Sequence, residues 1–174
     1  MRKIEFVFAV MASSFLLASS CFAATATAVL KGTLPDSKIT GNVTLTEEKG
    51  GLAVLAKVSN VPAGAHGFHI HAIGDCGEAG KAAGGHFNPD KSPHGLYPMD
   101  GPMKAMAGDM GNIVIRPDGT GEFSVFMPGL TLKGGKYAVN GLSVIIHESK
   151  DDFSQPAGNA GGRIACGIIE TQTK

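Results

Sequence analysis

Gly67-Phe68-His69-Ile70-His71 is the stretch from which the arrangement of this chain follows. Side chains alternate across a β-strand, so the two-residue step places both imidazoles on one face and Ile70 on the other. Two imidazoles on one strand face form a bidentate metal clamp, and imidazole suits copper, zinc, iron or nickel. A lone His-x-His pair is a weak signal, because alternating polar residues on a strand often simply face water. Its meaning depends on the residues around it.

Outside this stretch the chain has the pattern of an all-β protein. Glycine is abundant (25 of 174 residues), tryptophan is absent, and short β-rich runs alternate with turn residues. Glu48-Lys49-Gly50-Gly51 and Pro117-Asp118-Gly119 are typical of tight turns between antiparallel neighbours. The pattern predicts a β-sandwich or barrel. We expect eight strands, near residues 28–33, 41–46, 52–61, 66–72, 112–116, 121–127, 142–147 and 164–170.

Two long segments lack strand signals, and both touch the candidate site. Residues 73–111 form a loop whose length, in a compact domain, indicates function or disorder. This loop holds Cys76, His86, His94 and Asp109. The second loop, residues 148–162, follows His147 and ends at Arg163. We predict that a metal and a disulfide order the first loop, which has little apolar core of its own.

Residues 1–23 have the layout of a secretory signal peptide, with two early basic residues, an apolar stretch and small residues up to Ala23. The rival interpretation is lipoprotein processing, which would leave a lipid anchor on Cys21. Ser20 directly before that cysteine favours cleavage after Ala23 instead. No later segment is apolar for long enough to span a bilayer. We therefore predict one exported, periplasmic domain over residues 24–174.

Charge and cysteine count limit the partners of the mature domain. Without the leader, 13 basic and 14 acidic residues give a net charge of about −1, so no nucleic-acid or acidic-lipid partner is expected. Cys76 and Cys166 are the two cysteines that remain. In an exported protein an even number of cysteines predicts a disulfide, here one bond. Two free thiols are the alternative, which an oxidising compartment disfavours.

Four motifs together make the chain resemble the copper/zinc superoxide dismutases, specifically their exported bacterial type. The motifs are residues 67–71, Gly85-His86-Phe87-Asn88-Pro89, Gly108-Asp109-Met110-Gly111-Asn112, and the glycine-rich segment 158–167. The resemblance extends from about residue 28 to residue 170. It implies an eight-stranded Greek-key sandwich or flattened barrel of immunoglobulin-like type with two long functional loops. It also implies conversion of superoxide to oxygen and hydrogen peroxide through a Cu(II)/Cu(I) cycle.

The same resemblance implies a role for each site residue. The copper ligands would be His69, His71, His86 and His147. The zinc ligands would be His86, His94 and Asp109. Asp151, or Asp152 if the register slips, would join the outer N–H groups of His69 and His94, which fixes their tautomers. Arg163 would attract the superoxide anion, and His86, released from copper on reduction, would supply a proton.

Two residues near these motifs need a separate interpretation. His66 is an odd number of residues from His69 and His71, so a regular strand turns it to the opposite face, and we expect a structural role. Met106 stands where the family usually carries the third zinc histidine. A thioether is a poor zinc donor, so we predict a weak or empty zinc site. We interpret Met106, with Met99, Met103 and Met110, as apolar filling rather than a copper(I) ligand set.

An alternative function remains open, namely a periplasmic copper-binding protein of the same fold that acts as a buffer or carrier. Both functions need the copper ligands. Arg163 separates them, because a copper store has no use for an anion-binding cation beside the metal. The sequence leaves the oligomeric state open, a homodimer included.

Overall fold

The computed structural model describes residues 23–172. The predicted signal peptide lies outside the described residues except for Ala23, its last residue. Within 23–172 the chain forms nine strands, a 3₁₀ turn at Lys81–Ala83 and one short helix, α1, at Tyr97–Asp100. The strands are β1 Thr25–Gly32, β2 Thr40–Glu48, β3 Gly51–Ser59, β4 Gly64–His71, β5 Asp109–Ile115, β6 Gly121–Pro128, β7 Ser143–His147, β8 Arg163–Ile168 and β9 Glu170–Thr171.

Eight of these strands close into an antiparallel barrel, which confirms the predicted fold class. They pair in the order β2-β3-β6-β5-β4-β7-β8-β1, and β1 also pairs with β2. Closure leaves no long free edge at which another chain could add a strand. The predicted strand 164–170 is divided, because the backbone of Ile169 bonds to the turn at Gly141 and Leu142 instead of a ladder partner. Its last residues form β9, which pairs with β1.

The two predicted tight turns are present. Lys49 and Gly50 join β2 to β3, and Gly50 has a φ of 90°, a conformation that glycine adopts at no steric cost. The turn containing Gly119 joins β5 to β6, which pair at Ile115 and Gly121. Both predictions succeeded because turn chemistry is local.

β4 divides the barrel interior from the candidate site. Phe68 and Ile70 are fully buried in the main apolar core, where the ring of Phe68 packs edge-on against Phe123 with centroids 5.1 Å apart. His69 and His71, at the alternate positions, point away from this core and lie beneath the two long loops. One strand therefore contributes to the apolar core with one face and to the site with the other.

The first long loop is ordered by backbone pairing and a disulfide. It returns along the end of β4, where Phe87 donates to the carbonyl of Ile70 and Gly108 accepts from the N–H of Ile70, at 2.8 and 2.9 Å. A Cβ at Gly108 would lie 2.1 Å from the Ile70 carbonyl oxygen, so only glycine fits this approach. Cys76 and Cys166 form the predicted disulfide. Across residues 23–172 no helix has the length and apolar character needed to cross a membrane.

Candidate metal centre

Three of the predicted copper ligands share one face of the adjacent strands β4 and β7. These strands are antiparallel, with His69 opposite Ile145. Residues directly opposite each other point to the same side of a sheet, and His147 is two residues beyond Ile145. His147 therefore lies on the same face as His69 and His71. All three are buried, with at most 6% of the residue exposed.

The first long loop brings His86 to the same place. His86 forms an isolated antiparallel bridge with His71, and its side chain is 4% exposed. Its ring centroid lies 4.2 Å from that of His69 and 4.9 Å from that of His71. The candidate ligand atoms of the four histidines all lie within 4.8 Å of one another.

The free nitrogens of this cluster converge on one space. His71 and His147 each use Nδ1 to donate to a backbone carbonyl, at 2.9 and 3.4 Å. Their Nε2 atoms, left with lone pairs, face each other at 3.2 Å. His69 uses Nε2 to donate to Asp151, and its buried Nδ1 has no hydrogen-bond partner. Buried polar atoms are normally paired, so these unpartnered lone pairs fit a cation that imidazole prefers, such as copper.

His86 also belongs to a second cluster, with His94 and Asp109. Its Nδ1 lies 2.7 Å from one oxygen of Asp109. The Nδ1 of His94 lies 2.9 Å from the other oxygen but makes no hydrogen bond, and it is buried. Two imidazoles and a carboxylate are ligands that zinc accepts. The arrangement fits a metal ion adjacent to the four-histidine cluster, with His86 between the two.

A β-bulge aims Asp109 at this cluster. The register between β4 and β5 slips between the pairs Gly67–Asn112 and His69–Asp109, so β5 carries one extra residue. Gly111, with a φ of 101°, provides the left-handed conformation that such a bulge requires. The extra residue places Asp109 beside His69. The bulge therefore serves the site at the cost of regular pairing.

Asp151 connects the two clusters. Its buried carboxylate, called below the bridging carboxylate, accepts from Nε2 of His69 at 2.8 Å and from Nε2 of His94 at 2.9 and 3.0 Å. Such a contact fixes which nitrogen of each ring carries the proton. Asp152 is exposed and bonds to Ser154 and Asn159 instead. The geometry thus favours Asp151 over the alternative considered from the sequence.

Burial and neighbouring charges shift the pKa values of the site residues in different directions. Burial lowers the pKa of His71 to about 2 and that of His147 to about 3, so both rings are neutral near pH 7. Burial raises the pKa of Asp109, but the contacts of its carboxylate with His86 and His94 outweigh burial and bring the pKa down to about 2. Burial lowers the pKa of His94, yet Asp109 and Asp151 raise it to about 9. The protonated ring of His94 therefore supplies positive charge beside the two buried carboxylates, and a metal ion bound to His94 would supply that charge in place of the proton.

Arg163 and the metal cluster open onto one cavity of about 590 Å³, which His71, His86, His147 and Met106 also line. The guanidinium donates to the backbone carbonyls of Gly80, Lys81 and Gly84. These bonds hold the charged group in one direction at the start of β8. Arg163 is partly exposed, as a group that meets a dissolved anion must be.

The structure divides the methionines that the sequence grouped together. Met110 is buried in the core, so apolar filling describes it correctly. Met99 and Met103 are 80% and 84% exposed, so for them the filling interpretation was wrong. They lie at α1 and the turn after it, where no apolar surface covers them. Met106 is partly buried and lines the cavity, and its N–H donates to Asp109.

His66 has the structural role that its position predicted. It is buried, and its two ring nitrogens lie 2.9 and 2.8 Å from the carbonyl oxygens of His147 and Pro62. It belongs to none of the candidate ligand groups within the described residues.

Sequence reasoning missed two amide side chains that hold the site together. Asn112 bonds with its amide to both backbone groups of Asp151, at 2.8 and 2.9 Å. Gln155 does the same to His94, at 3.0 and 2.8 Å. Asn112 lies within the Gly-Asp-Met-Gly-Asn motif, which gave a hint of its importance. Gln155 had no such signal, because its partner is distant in sequence.

Comparison with known proteins agrees with this geometry. Residues 39–169 match the family model described as copper/zinc superoxide dismutase. The chain is 41% identical over 133 residues to superoxide dismutase [Cu-Zn] 2 of Brassica juncea, covering 72% of this chain and 85% of the relative. It is 42% identical over 137 residues to superoxide dismutase [Cu-Zn] 1 of Aquifex aeolicus (strain VF5), covering 75% and 79%.

Among solved structures, the crystal structure of the clock protein EA4 superposes with a TM-score of 0.75 at 32% identity, over 92% of this chain and 99% of that one. The family match covers most of the chain, and both dismutase relatives exceed 40% identity. The chain belongs to the copper/zinc superoxide dismutase family.

Proposed function

We propose that this protein is a copper-dependent superoxide dismutase that converts two superoxide anions and two protons to oxygen and hydrogen peroxide. The observation that carries the proposal is the convergence of four imidazoles, whose free nitrogens face one space, on the cavity that Arg163 also lines. Copper held by His69, His71, His86 and His147 would supply the one-electron redox chemistry. The protein supplies the geometry, the proton and the local charge.

Each protein group has a separable task in this proposal. Arg163 holds the substrate anion in the cavity, because a guanidinium is permanently charged and presents a rigid fork of donors. His71 and His147 keep their Nδ1 protons on backbone carbonyls, so Nε2 stays available as a ligand. His86, whose Nδ1 faces Asp109, would hold copper through Nε2 and, once released from it, would carry on that same nitrogen a proton for the peroxide product. A copper store would need the imidazoles but not the fixed guanidinium, which favours the enzyme.

The test is an Arg163→Ala variant with Arg116→Ala as its control. Arg116 is also cationic but lies at the β5–β6 turn, where it bonds to Thr120. We expect Arg163→Ala to keep its copper and to lose about tenfold or more of its superoxide consumption at low salt, whereas Arg116→Ala changes little. The measurements are copper content and the rate of superoxide decay at two ionic strengths. Full activity of Arg163→Ala at both would favour the copper-store function.

We further propose that the second subsite binds zinc weakly, because Met106 stands where the resemblance to the family leads us to expect a histidine ligand. Support comes from the donor set of His86, His94 and Asp109, which offers three ligands where structural zinc sites usually have four. After dialysis against a mild chelator, the unmodified protein should keep little zinc, and Met106→His should keep more. Near-stoichiometric zinc in the unmodified protein, with no gain from the histidine, would contradict the proposal.

We also propose that the protein is exported to the periplasm. The disulfide supports an oxidising compartment, and the first 23 residues have the features of a cleavable leader. Cell fractionation with mass determination of the mature N-terminus tests this. A chain that starts at Ala24 in the periplasmic fraction is expected, whereas a lipid-modified Cys21 would show that processing follows the other route.

A further inference from the structure

Three alternate residues of the second long loop, Asp151, Phe153 and Gln155, all contact His94. Asp151 accepts a hydrogen bond from the ring of His94. The ring of Phe153 stacks on the same imidazole, with centroids 6.3 Å apart and planes 18° from parallel. Gln155 bonds to the backbone of His94. Residues 151–155 therefore hold both the ring and the main chain of a residue about 60 positions earlier.

The contact of Gln155 fixes the main chain of His94 in both directions. Its Oε1 accepts from the His94 N–H at 3.0 Å, and its Nε2 donates to the His94 carbonyl at 2.8 Å. A side-chain amide in this arrangement copies the pairing of a neighbouring strand. With the main chain and Nε2 both held, the direction of Nδ1 is determined. That atom is buried, unpartnered and 2.9 Å from an oxygen of Asp109.

We propose that Gln155 is a positioning residue for the second metal subsite, setting the direction of His94 Nδ1 and thereby the affinity of the subsite for a divalent cation. The inference rests on the proposed subsite of His86, His94 and Asp109. The metal affinity of a site with three protein ligands depends strongly on how well each ligand is held in place before the metal binds. Partners beyond the ligands commonly change metal affinity by about 10- to 100-fold.

The same contact links the subsite to the substrate cavity. Pro156, Ala157 and Asn159 lie within four residues after Gln155 in the chain, and all three line the cavity that contains Arg163. A displacement of the Gln155 backbone would therefore move part of the cavity wall. By thermodynamic reciprocity, a metal in the subsite stabilises this wall as much as the wall stabilises the bound metal.

The experiment is a titration of the copper-loaded protein with Co²⁺ alone, whose visible absorption reports its coordination. Gln155→Met removes both hydrogen bonds and keeps a side chain of similar size. Asn140→Leu is the matched control, because Asn140 also bonds through its side-chain amide to the backbone of a distant residue, Thr171, and this bond involves no residue of the metal clusters. The melting temperature of each metal-free variant is measured alongside.

We expect Gln155→Met to bind Co²⁺ about tenfold more weakly than Asn140→Leu does and to show a shifted Co²⁺ spectrum. A lower melting temperature with unchanged Co²⁺ affinity would mean a merely structural role and would overturn the inference. Failure of the unmodified protein to take up Co²⁺ at millimolar concentration would overturn it as well. Copper content and superoxide consumption, measured on the same samples, decide the proposed dismutase function separately.

Discussion

Replacing Asp151 by asparagine tests the connection between the two metal clusters. The substitution keeps the shape of the side chain, but an amide has a single acceptor oxygen, so its NH₂ group must face one of two imidazole N–H donors. The bridging carboxylate is fully buried and accepts from His69 at 2.8 Å and from His94 at 2.9 Å. Hydrogen bonds to a charged group contribute about 1.5–3 kcal/mol each, so we expect a loss of about 3 kcal/mol or more.

For a domain of this size such a loss lowers the melting temperature by about 6–12 °C. Thermal unfolding of the metal-free protein measures it, and competition with a chelator measures copper affinity, which should fall by about 10- to 100-fold. The control is Asp152→Asn, because Asp152 is exposed and bonds only within its own loop. Equal melting temperatures and equal copper retention in the two variants would refute the role assigned to the bridging carboxylate.

Two further predictions concern the same region. Gly158→Ala would place a Cβ 1.8 Å from an oxygen of the bridging carboxylate, so it should lose copper as the asparagine variant does. Gly161→Ala is the control, because Gly161 has almost the same φ, +75° against +74°, while its added Cβ would meet nothing closer than 3.4 Å. Equal copper loss in both variants would mean that backbone strain alone is responsible. For pH, burial lowers the pKa of His71 to about 2 and of His147 to about 3, so only the unfolded chain takes up these protons as pH falls through 6.5. The metal-free protein should therefore lose about 2 kcal/mol of stability between about pH 7 and pH 5.5, and denaturant unfolding that gave a constant free energy over this range would contradict the neutral state of these rings. His94, whose pKa is raised to about 9, partly opposes this loss, because its own stabilising contribution grows as pH falls from 9 through 6.5.

The elements predicted correctly from sequence are those whose cause is local. Alternation along β4 placed His69 and His71 on one face and Ile70 in the core, because side-chain direction has a period of two residues. The tight turns followed from their glycines. β9 was missed because the break at Ile169 comes from bonds to a distant turn. Contacts between residues far apart in the chain cannot be read from the local sequence pattern, so this break could not be predicted.

The candidate site divides in the same way. The histidines could be grouped in advance, because they lie in motifs that resemble those of a known family and imidazole is a good metal ligand. The roles of Asn112 and Gln155 could not be predicted, because a side-chain amide can bond to any backbone group and only the fold determines which one it meets. Their partners are 39 and 61 residues away. Met106 was singled out from its position before the Gly-Asp motif, and the structure adds that it lines the cavity.

Because side chains alternate along β4, neighbouring residues of this one strand serve different purposes, one the stability of the barrel and the next the metal site. Ile70 is packed in the core, and truncating such a side chain to alanine costs about 2–5 kcal/mol. His71, the next residue, points into the space beneath the loops, where its Nδ1 bonds to the carbonyl of Gly84 and its Nε2 faces Nε2 of His147. Loss of His71 should therefore remove metal binding and leave the barrel intact, whereas loss of Ile70 should weaken the barrel. The loops can thus change their contacts around the metals while the apolar face keeps the strand in place.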